Sequence, residues 1–228
     1  MKRFLTLFLT SVVFTAACAD PAANKPKAET SAPSNTAKSS NAPTLTEAAK
    51  PSVLADFKAV GTELAITPEN SKVEFTGSKV TGKHDGGFKI FKGIIDLVGD
   101  KAETSKVLVD IEMASVFYDS DGLTKHLQTG DFFEVEKFPK ASFVSTRIEP
   151  DAAKGAGNFT VTGDLEMRGV KKSVKFPATI TVTPADVAVK AEFSINRKDF
   201  GIVYAGKADD LIRDDVVIKL DLKSAKKK

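Results

Sequence analysis

The sequence has no tryptophan, two tyrosines, two histidines and one cysteine, Cys18. A single cysteine excludes an intrachain disulfide, a C-x-x-C redox motif and a zinc site built from cysteines. The histidines, His84 and His126, do not form an H-x-x-x-H or H-E-x-x-H motif, and the chain has no G-x-S-x-G nucleophile motif. We therefore expect a protein without catalytic activity, bound metal or cofactor.

A net charge is also lacking over most of the chain. Residues 60–228 contain 26 Lys and Arg and 26 Asp and Glu, so the formal net charge of +3 comes from the residues before them. A domain without an overall basic field is not expected to bind nucleic acid.

No apolar run in the sequence is long enough to span a membrane, and the longest run lies at the start of the chain. Residues 1–18 contain Met-Lys-Arg, an apolar run from Phe4 to Phe14, and small residues before Cys18, which is the pattern of a secretory signal. The run is shorter than the roughly 20 residues that a spanning helix needs. Cys18 resembles the lipidated cysteine of a bacterial lipobox, from which Thr15 departs, and the alternative is ordinary cleavage before Asp20. We expect a bacterial envelope protein, either periplasmic or anchored to a membrane by acylated Cys18.

The next segment is poor in large apolar residues and has no aromatic ones. From Ala19 to Ser52 the chain is almost entirely Ala, Pro, Ser, Thr, Asn and Lys, with Leu45 the only large apolar residue. Such a composition cannot form a core, and it predicts a disordered tether over 19–59. We place the folded domain at 60–225, followed by a basic tail at 226–228.

The folded domain has a hydrophobic period of two, and helical spacing is nearly absent. This period predicts antiparallel strands rather than βαβ units. The predicted strands are 63–67, 71–80, 88–98, 106–114, 141–148, 159–167, 174–182, 187–195 and 216–222. Leu123 and Leu127, which follow capping residues at 119–121, predict one short helix near 121–129. The predicted fold is all-β, a closed antiparallel barrel of about eight strands with that single helix.

Several motifs resemble the YceI-like family of exported lipid-binding proteins. The most specific is 125–133, Lys-His-Leu-Gln-Thr-Gly-Asp-Phe-Phe, continuing through 137–143, Lys-Phe-Pro-Lys-Ala-Ser-Phe. Weaker matches are 71–75, 163–165, 169–170, 174–177 and 197–202, so the resemblance extends over about 62–223. It implies a lipocalin-like barrel whose apolar interior takes up an isoprenoid, quinone-like or other amphiphilic lipid, for transport or storage and without catalysis.

Site residues follow from this resemblance together with the alternation. An eight-stranded barrel is either filled by side chains or holds one small ligand. The candidate lining residues are Phe75, Phe88, Met113, Phe132, Phe143, Phe159, Phe176 and Phe193, and we also expect Ala178 and Ala191 to face the interior. His126, Arg197 and Tyr204, with His84, are candidates for contact with a polar head group. The alternative is a surface interaction module with a solid core, and association of two copies stays open.

Overall fold

The computed structural model describes residues 20–34 and 52–226. The signal segment, Cys18, residues 35–51 and the last two lysines lie outside the described residues. The predicted signal, lipidation and envelope location therefore stay predictions.

The described chain is all-β with one α-helix, α1 (Asp121–Gln128), which confirms the predicted fold class. Its strands are β1 (Glu29–Ser31), β2 (Thr62–Ile66), β3 (Lys72–Lys79), β4 (Gly82–Phe88), β5 (Phe91–Val98), β6 (Lys101–Glu112), β7 (Val116–Tyr118), β8 (Lys140–Pro150), β9 (Asn158–Met167), β10 (Val170–Val182), β11 (Asp186–Asn196), β12 (Gly206–Lys207), β13 (Asp210–Leu211) and β14 (Asp215–Ala225).

Eleven of these strands form one antiparallel path that curls into a half-barrel. The order is β2-β5-β6-β8-β9-β10-β11-β14-β3-β4-β7, and in the described residues no ladder joins β2 to β7. The sheet is therefore open, and the predicted closed barrel of about eight strands is corrected. Near the open side β2 meets β14 through a side chain instead of a ladder, since Ser224 Oγ donates to the Ala65 carbonyl at 2.8 Å.

The higher strand count has a local cause. β4 contains Gly82, Gly86 and Gly87, which remove the alternating apolar pattern on which the prediction rests. β7 has three residues and follows a 3-10 turn, so its pattern is too short to read. β3, β4 and β7 are consecutive at one end of the sheet. The two strands that were not predicted, β4 and β7, therefore extend this end of the sheet beside α1.

The N-terminal segment adds a strand to the wall of the half-barrel. β10 pairs with β11 over Thr179–Val182, and β1 pairs with β10 at 173–175. Ala28 N donates to the Ser194 carbonyl of β11, and Ser194 N donates to the Pro26 carbonyl, both at 2.8 Å. β1 thus fills the gap where β10 and β11 separate, and for residues 20–34 the structure differs from the predicted disordered tether.

The physical reason is that this segment is held by its main chain. Backbone hydrogen bonds to two strands need no large side chains, and the small Ala22 and Ala28 are buried against the sheet. A low content of apolar residues argues against an independent core. It does not argue against adding a strand to an existing sheet.

Candidate functional site

Two adjacent chambers lie inside the curled sheet. The upper chamber has a volume of about 330 Å³ and the deep chamber about 150 Å³. Both are lined by Phe75, Phe88, Met167, Ile195 and Ile218, so the two spaces meet at these side chains. The upper chamber alone reaches the volume of ordinary ligand pockets, about 300–1,000 Å³. The interior is therefore not solid, which removes the basis of the alternative that assumed a filled core.

The deep chamber is lined by apolar side chains, with Glu74 the exception. Phe176 and Phe193, on β10 and β11, stack with ring centroids 4.1 Å apart and planes 11° from parallel. Phe143 on β8 lies 5.9 Å from Phe176. Alternation along these strands directs the aromatic side chains inward, because successive residues of a strand point to opposite faces. The result is a space suited to a hydrocarbon chain.

The upper chamber is covered by α1 and the residues after it. Leu123, Leu127, Phe132 and Phe133 of this cover line the chamber. The loop after α1 is fastened to the helix, since Phe133 N donates to the Leu127 carbonyl at 3.0 Å. This arrangement explains the Phe-Phe pair, whose side chains close the top of an apolar space.

Arg168 ties the cover to the sheet. It lies in the turn between β9 and β10, and its Nη2 donates to the Gly130 carbonyl at 2.8 Å and lies 3.4 Å from Glu134 Oε2. Its Nη1 donates to the Gly201 carbonyl on the other side of the opening. One side chain thus joins the cover to the loop after β11.

Polar side chains gather at the outer end of the upper chamber, which we call the mouth. Each lysine, arginine and histidine side chain that lines it has a carboxylate partner. Lys79 pairs with Asp210, His84 Nδ1 lies 2.9 Å from Asp119, His126 Nε2 lies 2.8 Å from Asp131, and Arg197 Nη2 lies 3.1 Å from Asp214. The bond to Lys79 lowers the pKa of Asp210, which keeps this carboxylate charged. The mouth therefore has little uncompensated positive charge.

Arg197 is a structural residue as much as a candidate for ligand contact. Its side chain is buried, and its guanidinium donates to the carbonyls of Ile202 at 2.8 Å and Arg213 at 3.1 Å. Burial lowers its pKa from the usual value, and Asp214 opposes that effect. These bonds hold the hairpin of 203–213 against the mouth.

Two residues of the upper chamber wall, Ser78 and Tyr118, have neutral hydroxyl groups. Ser78 is buried, and its Oγ has no hydrogen-bond partner among the described residues. Burial raises the pKa of Tyr118 to about 12, so its phenol stays protonated at physiological pH and can donate a hydrogen bond. Because Ser78 Oγ is fully buried within the wall, the Tyr118 hydroxyl is the neutral donor that a ligand oxygen in the chamber can reach.

Tyr118 is a residue that the sequence analysis missed. Its ring crosses two glycines, and a Cβ on Gly86 would lie 2.3 Å from the ring, while one on Gly77 would lie 2.5 Å from the hydroxyl oxygen. The ring also stacks on Phe75, with centroids 5.5 Å apart. The available signal was the glycines of β3 and β4, because a glycine in a strand often marks a close approach of another group.

Most of the predicted residues lie at the chambers. Their lining residues include Phe75, Phe88, Met113, Phe132, Phe143, Phe176, Phe193, His84, His126 and Arg197. Tyr204 contacts the mouth from outside, with its ring centroid 5.2 Å from that of His126 and 5.5 Å from that of Phe132. Their contact with a ligand stays a prediction.

Phe159, Ala178 and Ala191 are not among the residues that line the two chambers, although Ala178 and Ala191 are buried in the same core cluster as Phe176 and Phe193. They line a separate depression at the surface, together with Lys190 and Glu192. Ala178 has the same strand parity as Phe176, and Ala191 the same parity as Phe193. The alternation assigned the face of the sheet, but it contains no information on the depth of a residue along the strand.

The described residues contain neither a cluster suited to a metal ion nor a helix suited to span a membrane. Within residues 20–34 and 52–226, no group of three or more His, Cys, Asp or Glu side chains is arranged to hold a metal ion. None of the helices in these ranges has the length and apolar composition needed to span a bilayer.

Comparison with known proteins places this architecture in a family. Residues 64–224 match the model of the YceI-like domain. The UPF0312 protein PputGB1_5030 of Pseudomonas putida is 35% identical over 140 residues, which are 59% of this chain and 71% of that protein.

Two solved structures share the fold. Burkholderia cenocepacia BcnA matches with a TM-score of 0.61 at 24% identity, covering 69% of this chain and 98% of that chain. A polyisoprenoid binding domain from Saccharophagus degradans, implicated in plant cell wall breakdown, matches with a TM-score of 0.57 at 17% identity, covering 72% and 98%. With most of its length matched by the family model, the chain belongs to the YceI-like domain family.

Proposed function

We propose that this protein binds one long-chain amphiphile, with an isoprenoid-type tail in the two chambers and an uncharged polar head in the upper chamber. The observation that supports the proposal is the pair of adjacent apolar spaces of about 330 and 150 Å³. The polyisoprenoid binding domain of the same fold adds support. Transport or storage of the lipid in the cell envelope is the role that fits the predicted secretory signal.

The tail accounts for most of the affinity. Each methylene moved from water into an apolar space contributes about 0.8 kcal/mol, so a chain of ten or more carbons is held without any polar contact. Such binding depends on the length and width of the tail more than on its chemical identity. The stacked rings of Phe176 and Phe193 limit the width of the deep end.

The polar groups of the mouth favour a head without charge. A phosphate would need unpaired cations, and Lys79, His84, His126 and Arg197 each already face a carboxylate. The Tyr118 hydroxyl, which lines the upper chamber, offers a neutral donor instead. An alcohol, phenol or quinone oxygen matches this donor without displacing an ion pair.

Binding without catalysis is part of this proposal. The hydroxyl of Ser78, which lines the upper chamber, has no general base hydrogen-bonded to it in the described residues. Activation of a serine nucleophile requires such a neighbour. The ion pairs of the mouth orient loops, and the proposal assigns them no chemical step.

The test is a titration of delipidated protein with matched probes: a long isoprenoid alcohol, the same alcohol as its monophosphate, and a short alcohol of two isoprene units. We expect the long alcohol to bind most tightly, the monophosphate more weakly, and the short alcohol weakest. Tighter binding of the monophosphate contradicts the assignment of the head group. No binding of either long chain contradicts the function itself.

A further inference from the structure

The mouth is bordered by exposed apolar side chains. In the described part of the chain the exposed large apolar residues are Val60, Val80, Ile90, Val203 and Leu211. Three of them, Val80, Val203 and Leu211, lie on what we call the rim, which consists of the turn at 79–82 and the hairpin of 203–213. Val80 N donates to the Leu211 carbonyl at 3.2 Å, so these two residues are neighbours. Val203 directly follows Ile202, which lines the upper chamber.

The start of the described chain is fixed at the same rim. Asp20 Oδ2 lies 3.5 Å from Arg213 Nη1, and Arg213 N donates to the Ser78 carbonyl at 2.9 Å. The segment after Asp20 is held against the sheet, because β1 is hydrogen-bonded to β10 and Lys27, just before β1, forms a bridge with Ser194 of β11. Lys27 Nζ adds an ion pair with Asp215 at 2.8 Å, at the start of β14.

Cys18 is two residues before Asp20, and two extended residues span at most about 7 Å. An acylated Cys18 would therefore lie within that distance of Asp20, whose side chain contacts Arg213 of the rim. Residues 35–51 lie between two segments that contact the sheet, and not between Cys18 and the domain. The spacer that a disordered tether would provide is thus lacking next to the anchor.

We propose that the rim docks on a lipid bilayer, with the mouth of the upper chamber facing the membrane and acylated Cys18 holding it there. The inference rests on the proposed function, since a lipid-binding chamber that faces the bilayer exchanges its ligand without passing it through water. Docking is apolar rather than ionic, because the three cations of the rim, Lys79, Lys207 and Arg213, are matched in number by Asp209, Asp210 and Asp20, and Lys79 and Arg213 form ion pairs with Asp210 and Asp20. A zwitterionic phosphatidylcholine surface without net charge is therefore a sufficient partner.

The absence of tryptophan gives a direct test, since one introduced Trp is the only indole in the chain. Full-length chain carrying Val203→Trp or Leu211→Trp is produced with its own signal and reconstituted into dioleoylphosphatidylcholine vesicles. Val60→Trp is the matched control, because Val60 is at least as exposed and lies beside Asp96, away from the rim. Quenching by iodide added to the water measures how far each Trp is shielded.

We expect iodide to quench Trp at position 60 strongly and Trp at positions 203 and 211 several times less. A lipid inside the chamber would not shield these exposed positions, so shielding reports the bilayer. Equal quenching at all three positions overturns the proposal, as does failure of the full-length chain to stay on the vesicles. Titration of the Val60→Trp protein with the long isoprenoid alcohol, in the absence of vesicles, tests the proposed function separately. Ligand binding without shielding rejects docking alone, and shielding without ligand binding rejects the function alone.

Discussion

Ala141 on β8 offers a way to shorten the deep chamber without touching the polar groups of the mouth. It lines the deep chamber, and 4% of its surface is exposed. Ala141→Leu adds three carbons in that space. If three methylenes of the bound tail can no longer be buried in the chamber, the binding free energy weakens by about 2.4 kcal/mol, at about 0.8 kcal/mol for each methylene. This loss corresponds to a roughly fiftyfold rise in Kd.

The chain contains a matched control for this substitution. Ala178 is buried to a similar extent, at 6% exposed, but lines the surface depression beside Phe159 and not the chambers. Ala178→Leu therefore makes the same chemical change and leaves the affinity for lipid near that of the original protein, whatever its cost in packing. Both variants are titrated with the same long isoprenoid alcohol, and thermal unfolding confirms that each is folded.

The two variants together decide the location of the tail. A Kd that Ala141→Leu leaves unchanged would refute the reasoning, because the tail would then not occupy the deep chamber. Equal weakening by both variants would also refute it, since the loss would follow general repacking instead of chamber volume.

The remaining predictions concern the mouth. Ser78→Ala leaves the free energy of unfolding of ligand-free protein unchanged or slightly higher, because its hydroxyl is buried without a partner. It also leaves the affinity for the isoprenoid alcohol nearly unchanged, because the hydroxyl is not accessible from the chamber, and clear destabilisation by this change would contradict our account. The pKa of Tyr118 is raised to about 12 by burial, so its contribution to stability is complete below about pH 10 and is lost as the pH rises towards 12. Denaturant unfolding at alkaline pH should show this loss in the original protein and a smaller one in Tyr118→Phe. Arg197→Met destabilises the fold by about 3 kcal/mol by leaving the carbonyls of Ile202 and Arg213 without their donor, and a change below about 1 kcal/mol in denaturant unfolding would contradict that role.

Regular strands were predictable from the sequence because their information is local. The prediction of 159–167 matches β9, and 187–195 matches β11, each within one residue at either end. In these segments one face is buried, so apolar residues recur with a period of two. The helix was predictable for the same reason, since Leu123 and Leu127 both line the upper chamber.

The closure of the sheet and the place of β1 were not predictable in this way. Whether a sheet closes depends on the summed register of all its strands, which no single segment encodes. β1 lacks an apolar pattern, and its hydrogen-bonding partners are the residues of β10, so its stability comes from residues more than 140 positions away in the chain.

The site was predictable in kind but not in detail. The phenylalanines on inward positions indicated an apolar interior, yet Phe176 lies in the deep chamber and Phe159 outside it, although both belong to the same pair of strands. Ser78 is one of many serines in the sequence, and only its burial without a partner distinguishes it. Such distinctions depend on tertiary position.

The central claim is that the two chambers hold a lipid tail, and native mass spectrometry of the protein isolated from its own cell envelope tests it most directly. We expect a mass above that of the polypeptide, which organic extraction converts into free protein and a long-chain lipid with an uncharged head. Repeated recovery of protein without any bound lipid, together with failure to take up a long isoprenoid alcohol afterwards, would contradict the account.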